Sequence, residues 1–182
     1  EAGRETAVTE PRRGDWLQTY TGIAFYPLDP RPEEIYGVDI AHQLSMICRY
    51  GGAVERFYSV AEHSVLLAHY AREQWPEDHG FHLAVLLHDA AEAYICDIPR
   101  PLKHSTLMSG YRAIEHDIED VIDKVYGLVW TEQWRARLKD IDTRIMIDEA
   151  SVLLKRITNH WSSQFGEPLG IGNAIIGMQP HA

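Results

Sequence analysis

The chain has 182 residues, 45% hydrophobic and 24% charged, with a formal net charge of −10. Such a length and balance describe one globular unit able to build a core without disulfide or metal staples. The acidic excess excludes the basic footprint of a protein that grips a nucleic-acid duplex or an anionic membrane, so an anionic substrate would need a local cation or a metal.

Residues 1–14 are polar and aperiodic and read as a mobile tail, leaving 15–182 as a single domain. Trp16–Pro27 carries aromatic and β-branched residues around a Thr-Gly turn signal, the pattern of a short hairpin. Pro27, Pro30 and Pro32 oppose regular structure over 28–33. From Asp39, apolar residues Ile40, Leu44, Ile47 and Cys48 recur at helical spacing until Gly51-Gly52. A second helix is expected over Ser59–Arg72, with Ser59 as N-cap and Glu62 three residues on as a capping box. A third should run from Phe81 to about Tyr94, burying Leu83, Val85, Leu86 and Leu87. Asp97–Pro101 breaks it. A fourth is expected over Leu107–Val125, ending at Gly127, and a fifth from a Thr131 cap to about His160. Residues beyond Phe165 are loop-like, with a short strand or nothing regular at the end. These elements define an all-α class, a compact helical bundle with an irregular N-terminal lobe.

No apolar run approaches the roughly 20 residues of a membrane-spanning helix, and none reads as the core of a signal peptide. Cys48 and Cys96 lack CxxC spacing and suit two free thiols in a reducing, cytoplasmic setting.

The third helix ends expensively. After an apolar run come His88 and Asp89, with Glu92 one turn later, and ionisable groups beside leucines need a partner. A metal ion is a strong one. His63 lies one turn into the second helix, at a distance from His88 that allows a helical hairpin to bring the two together. Asp142 shares a stripe with Leu138, Ile145, Glu149 and Val152 that should face the core, whereas Asp140 points to solvent. Two imidazoles and two carboxylates suit Mn, Fe, Co, Ni or Zn. Each residue also has a plainer reading. A single buried histidine is more often a hydrogen-bonded core residue, Asp89 could join two helices, and Asp142 could pair with Arg112 or Arg144. The convergence of expected helix faces favours the set. His42, His69, His79, His82, His116, His160 and His181 read as surface or structural residues.

The same residues carry a resemblance. His63, His88-Asp89 and Asp142 are similar to the H…HD…D signature of the HD-domain metal-dependent phosphohydrolases. Tyr58–Ser64 (YSVAEHS), His88–Glu92 (HDAAE) and Asp97–Lys103 (DIPRPLK) resemble the blocks of the 5′-deoxynucleotidase branch and its phage relatives, over about Ile40 to Leu154. Cys96 departs from that pattern, which often has Gly there. The resemblance implies an HD-type helical fold and release of phosphate from (2′-deoxy)nucleoside 5′-monophosphates, with a divalent ion (Co, Mn, Zn, Fe, Ni or Mg) held by His63, His88, Asp89 and Asp142. It implies catalytic roles for Glu92 and Asp97, substrate contacts from Arg49 and Lys103, a nucleotide as the small-molecule partner, and a homodimer or larger homo-oligomer. Physical chemistry agrees on Glu92, which could orient a metal-bound water, although it could instead support His88 by a hydrogen bond. Asp97 could merely cap its turn, and His104 is a weaker substrate-side candidate. Trp16, Tyr50, Phe57 and Tyr58 could stack on a base or simply pack. Competing functions are a dNTP triphosphohydrolase, a phosphodiesterase for cyclic or signalling nucleotides, and a metal- and nucleotide-binding regulatory module without turnover.

Overall fold

The computed structural model describes residues 11–155 and 166–177. Within them the fold is predominantly α-helical, as the periodicity implied. The hairpin is short, with β1 (Leu17–Gln18) antiparallel to β2 (Ala24–Phe25) and Leu17 opposite Phe25. Seven α-helices follow among the described residues: α1 (Gly37–Met46), α2 (Val60–Gln74), α3 (His79–Leu86), α4 (Glu92–Ile95), α5 (Arg100–Lys103), α6 (Ser109–Tyr126) and α7 (Glu132–Leu153).

Two caps read from sequence are present. The Ser59 hydroxyl accepts from the Glu62 amide, and Thr131 accepts from the Trp134 amide, each satisfying a donor that the first helical turn leaves free. Gly127, at φ 66°, ends α6 in the left-handed conformation that glycine takes at little cost.

Some expectations fail. Residues 11–14 are not a free tail, because Arg12 bonds Glu34 and the Asp29 carbonyl and lies over the Tyr26 ring. A 3-10 turn occupies Pro32–Glu34 despite the prolines, since Pro32 sits at a first helical position where its missing N–H costs nothing. A short helix, α5, begins within the segment expected only to break and runs on to Lys103. The last helix ends at Leu153, with Leu154 extended rather than helical; residues 156–160 of the expected helix, the tail over 1–10 and the chain's last five residues lie outside the described residues.

The larger error concerns the third helix. It ends at Leu86, and the chain then tightens into turns closed by i→i−3 bonds, Ala90 to Leu87, Glu92 to Asp89 and Ala93 to Ala90, that lead into the first residues of α4. Leu83 and Leu86 are partly exposed rather than buried, because α3 turns Phe81, Ala84 and Val85 to the core. Those are positions i, i+3 and i+4 of one face.

Two apolar clusters position the site. Leu67 and Ala71 of α2, Phe81 and Val85 of α3, and Ile141 and Ile145 of α7 pack together. His63 lies one turn before Leu67, His88 three residues beyond Val85, and Asp142 directly after Ile141, so this packing carries all three to one place. The second cluster joins Ile40 and Leu44 of α1 to Ala90, Ala91 and Tyr94 and to Ile118 and Ile122 of α6. It packs against the tight turns through Ala90 and Ala91. The small Ala90 and Ala91, both buried, let these helices approach closely.

Candidate metal centre

His63, His88 and Asp142 each direct one ligand atom to a common point, all within 4.8 Å of one another. His63 Nε2 lies 3.3 Å from Asp142 Oδ1, and His88 Nε2 lies 3.9 Å from the same oxygen. Asp89 joins them, its Oδ2 being 3.2 Å from His88 Nε2 and 3.7 Å from His63 Nε2. In a continuous α-helix, neighbouring side chains diverge by about 100°. The tight turns after Leu87 allow His88 and Asp89 to meet the same point. Neither Arg112 nor Arg144 pairs with Asp142. Arg112 donates to the carbonyls of Lys103 and Ser105, and Arg144 to Asp140 and to the carbonyls of Glu167 and Pro168.

The imidazoles are oriented from behind. His88 Nδ1 is 2.8 Å from the Val85 carbonyl, and His63 Nδ1 is 2.6 Å from Glu149 Oε1. A carbonyl can only accept, so the neutral His88 ring carries its proton on Nδ1 and presents Nε2 as a lone pair. Both Nε2 atoms are buried and make no hydrogen bond. Orphaned buried nitrogens are costly, and a cation between them and the two carboxylates would satisfy all four. The donor set therefore fits a divalent metal.

Charge is balanced tightly here. Burial opposes the His88 imidazolium, but Asp89, Asp142 and the Val85 carbonyl outweigh it and push His88 up to about 9. Asp89 is also buried, yet His88, His63 and Arg49 hold its carboxyl well below the usual range. Metal binding in place of these protons would therefore be proton-releasing.

Glu149 has no role in the sequence reading beyond a place on the Asp142 stripe. It is fully buried, seven residues after Asp142 and so on the same helical face. Besides His63 it accepts from the hydroxyls of Tyr58, at 2.8 Å, and Tyr50. Arg49 Nε lies 3.7 Å away. Burial would raise its pKa, but Arg49, His63 and Tyr50 take it down to about 2. The signal available in sequence was an acidic residue on a core-facing stripe.

The expected catalytic and substrate residues divide. Arg49 is brought to the site, with Nη1 3.3 Å from Asp89 Oδ2, on a turn where Tyr50 adopts a left-handed conformation, φ 58° and ψ 24°. Glu92 is buried, its Oε2 without a hydrogen-bond partner. Burial, then Asp89 and Asp97, push Glu92 up to about 9. Asp97 is half-buried, and burial raises its pKa against the pull of Arg49. Lys103 is committed elsewhere, 2.6 Å from Glu115 Oε1 and 3.5 Å from Glu92 Oε1. Tyr50 and Tyr58 spend their hydroxyls on Glu149. Trp16 is half exposed, and His104 caps α5 in solvent. Cys48 and Cys96 are free thiols, and Cys96 takes φ 68° and ψ 157°.

A cavity of about 350 Å³ is lined by His88 and Asp142 together with Leu87, Leu138, Trp130 and Arg135. Asp142, its side chain 34% exposed, is the most accessible of the four, and His63 is sealed.

The molecule is thus a predominantly helical protein with a His/His/Asp cluster, Asp89 alongside, compatible with a divalent ion. No helix among the described residues is long and apolar enough to cross a membrane. No family profile matches the chain. It is similar to YfdR of Escherichia coli K12, named as an uncharacterized protein, at 41% identity over 113 residues, 62% of this chain and 59% of that one. An uncharacterized protein of Rhodobacter capsulatus is 34% identical over 116 residues, again 62% of this chain and 59% of the relative. The chain therefore spans about three-fifths of the length of these relatives.

Proposed function

We propose that this chain is a divalent-metal-dependent phosphohydrolase that releases phosphate from (2′-deoxy)nucleoside 5′-monophosphates. The observation that carries the reading is the convergence of two buried, unpartnered imidazole Nε2 atoms on the Asp89 and Asp142 carboxylates. The H…HD…D resemblance supplies the substrate class. His63, His88, Asp89 and Asp142 would hold the ion; when bound it polarises a phosphoryl oxygen and lowers the pKa of a coordinated water.

The chain's own residues supply the rest. Glu92, buried with one free oxygen, orients the attacking water; a cation bound beside it would favour its ionised form, which could then take the proton. Arg49 adds fixed positive charge beside Asp89, the local cation that an acidic protein needs to hold a phosphate. Lys103 acts through Glu92, whose Oε1 its Nζ approaches at 3.5 Å. Asp97 stands as a further acidic group beside the reacting region.

The test is phosphate release measured with malachite green across deoxynucleoside monophosphates, triphosphates and cyclic nucleotides, with Mn, Co, Mg and Zn in turn. Metal-dependent orthophosphate from monophosphates, absent in His88→Ala, supports the proposal. Triphosphate from dNTPs, or turnover of cyclic nucleotides alone, replaces the substrate assignment. No product with any metal overturns the enzyme reading and leaves a binding module.

A further inference from the structure

We infer that Glu149 is the positioning residue of the centre: its carboxylate holds the proton of the neutral His63 ring on Nδ1 and thereby presents Nε2 as the metal-facing lone pair. The inference rests on the metal reading of the site, and not on which phosphate ester is cut.

The geometry carries it. His63 is sealed from solvent, with Nδ1 2.6 Å from Glu149 Oε1 and Nε2 facing Asp142 and Asp89. Glu149 cannot swing away, because Tyr58 donates to the same oxygen at 2.8 Å while Tyr50 donates to the other. An ionised carboxylate accepts and cannot donate, so in the neutral ring the only proton compatible with this contact is on Nδ1. The two histidines are thus set by different devices. His88 uses a main-chain carbonyl, which no substitution removes, whereas His63 depends on one side chain eighty-six residues away in sequence. Glu149 also stands 3.7 Å from Arg49 Nε, and Arg49 Nη1 stands 3.3 Å from Asp89. One carboxylate therefore braces a ligand directly and, through a guanidinium, faces a second. A carboxylate behind a ligating imidazole raises its basicity, and loss of such a partner weakens metal affinity by about 10–100-fold.

The experiment compares Co²⁺ affinity of the full chain, by competition with a chelating dye, in wild type, Glu149→Gln and Tyr58→Phe. Melting temperatures are recorded alongside. Tyr58→Phe removes a buried hydrogen bond to the same carboxylate without touching His63, so it controls for stability. Glu149→Gln should lose at least tenfold in affinity, and Tyr58→Phe less than threefold at a comparable drop in melting temperature. Equal losses in both variants, or wild-type affinity in Glu149→Gln, would overturn the inference. A second measurement needs no variant. Imidazole ¹⁵N shifts of the metal-free wild type, in alkaline buffer where the ring is neutral, should place the His63 proton on Nδ1; a proton on Nε2 overturns the inference whatever the variants do. Neither measurement uses a substrate, so loss of the phosphohydrolase reading would leave this result standing, and the reverse.

Discussion

Lys103 Nζ lies 2.6 Å from Glu115 Oε1 and 3.5 Å from Glu92 Oε1. The lysine thus bridges a carboxylate of α6 to the proposed water-handler. Both carboxylates are buried, and they hold the ammonium above its usual range although burial opposes its charge. On the proposed reading, a lysine so committed tunes Glu92 rather than reaching for phosphate. Lys103→Met should lower kcat by about 10-fold or more, on the scale of a misplaced general base, with KM and metal affinity nearly unchanged. A raised KM at constant kcat would return Lys103 to substrate binding.

The four ligand-type residues should separate from Glu92. His88→Ala and Asp142→Ala should each weaken Mn²⁺ or Co²⁺ binding by more than the about 10–100-fold typical of an outer partner, and abolish turnover. Glu92→Gln should bind the ion normally and lose turnover. Isothermal titration of the three variants checks this, and lost metal in Glu92→Gln would move that residue into the coordination shell. Adding the ion to the wild type should raise the melting temperature with concentration, because it binds the folded state alone.

Glu92 also gives the metal-free protein a pH signature. Its carboxyl is pushed from 4.5 to about 9 by burial and by Asp89 and Asp97, against Lys103 and Arg49. Between those values the folded state keeps a proton that the unfolded chain has released. The contribution of this group to stability is therefore complete below about pH 4.5 and falls as pH rises toward 9. Glu92→Gln has nothing to lose there. The melting temperature of the variant minus that of the wild type should grow steadily across this window in chelator. A flat difference would show that Glu92 ionises at its ordinary pKa.

Cys96 offers a test outside the chemistry. At φ 68° and ψ 157° it occupies backbone space that is essentially reserved for glycine, and its carbonyl accepts from the Tyr111 hydroxyl at 2.7 Å. The same position is where the resemblance led us to expect Gly. Cys96→Gly should stabilise the protein by about 1 kcal/mol, a strain relief of 1–3 kcal/mol less the entropy that glycine adds to the unfolded chain. Cys96→Ala should gain nothing. Urea unfolding measures both.

The sequence carried the helical class, the Ser59 and Thr131 caps, and the convergence of His63, His88 and Asp142, since each rests on local spacing or on an apolar stripe. The break after Leu86 was hidden because the stretch from Phe81 to Ile95 contains no glycine or proline, and its apolar pattern suits a helix or tight turns equally. Leu83 and Leu86 looked buried because composition does not say which face of a short helix meets its neighbours. Glu149 and Glu115 escaped notice for a different reason. Their partners, His63 and Lys103, are supplied by other elements, and a buried acid is indistinguishable from a solvated one until its contacts are known. Lys103 is placed at the phosphate by its motif position alone, and its contact with Glu115, on a helix outside that motif, has no signal there.

The ion itself is the most direct test. Crystals grown with Co²⁺ and measured above and below the cobalt absorption edge should show one anomalous peak, about 2.1 Å from His63 Nε2 and His88 Nε2 and within bonding reach of Asp89 and Asp142 oxygens, with Glu92 outside its shell. A site without a peak at saturating Co²⁺, or a peak that leaves either imidazole unligated, would contradict the account.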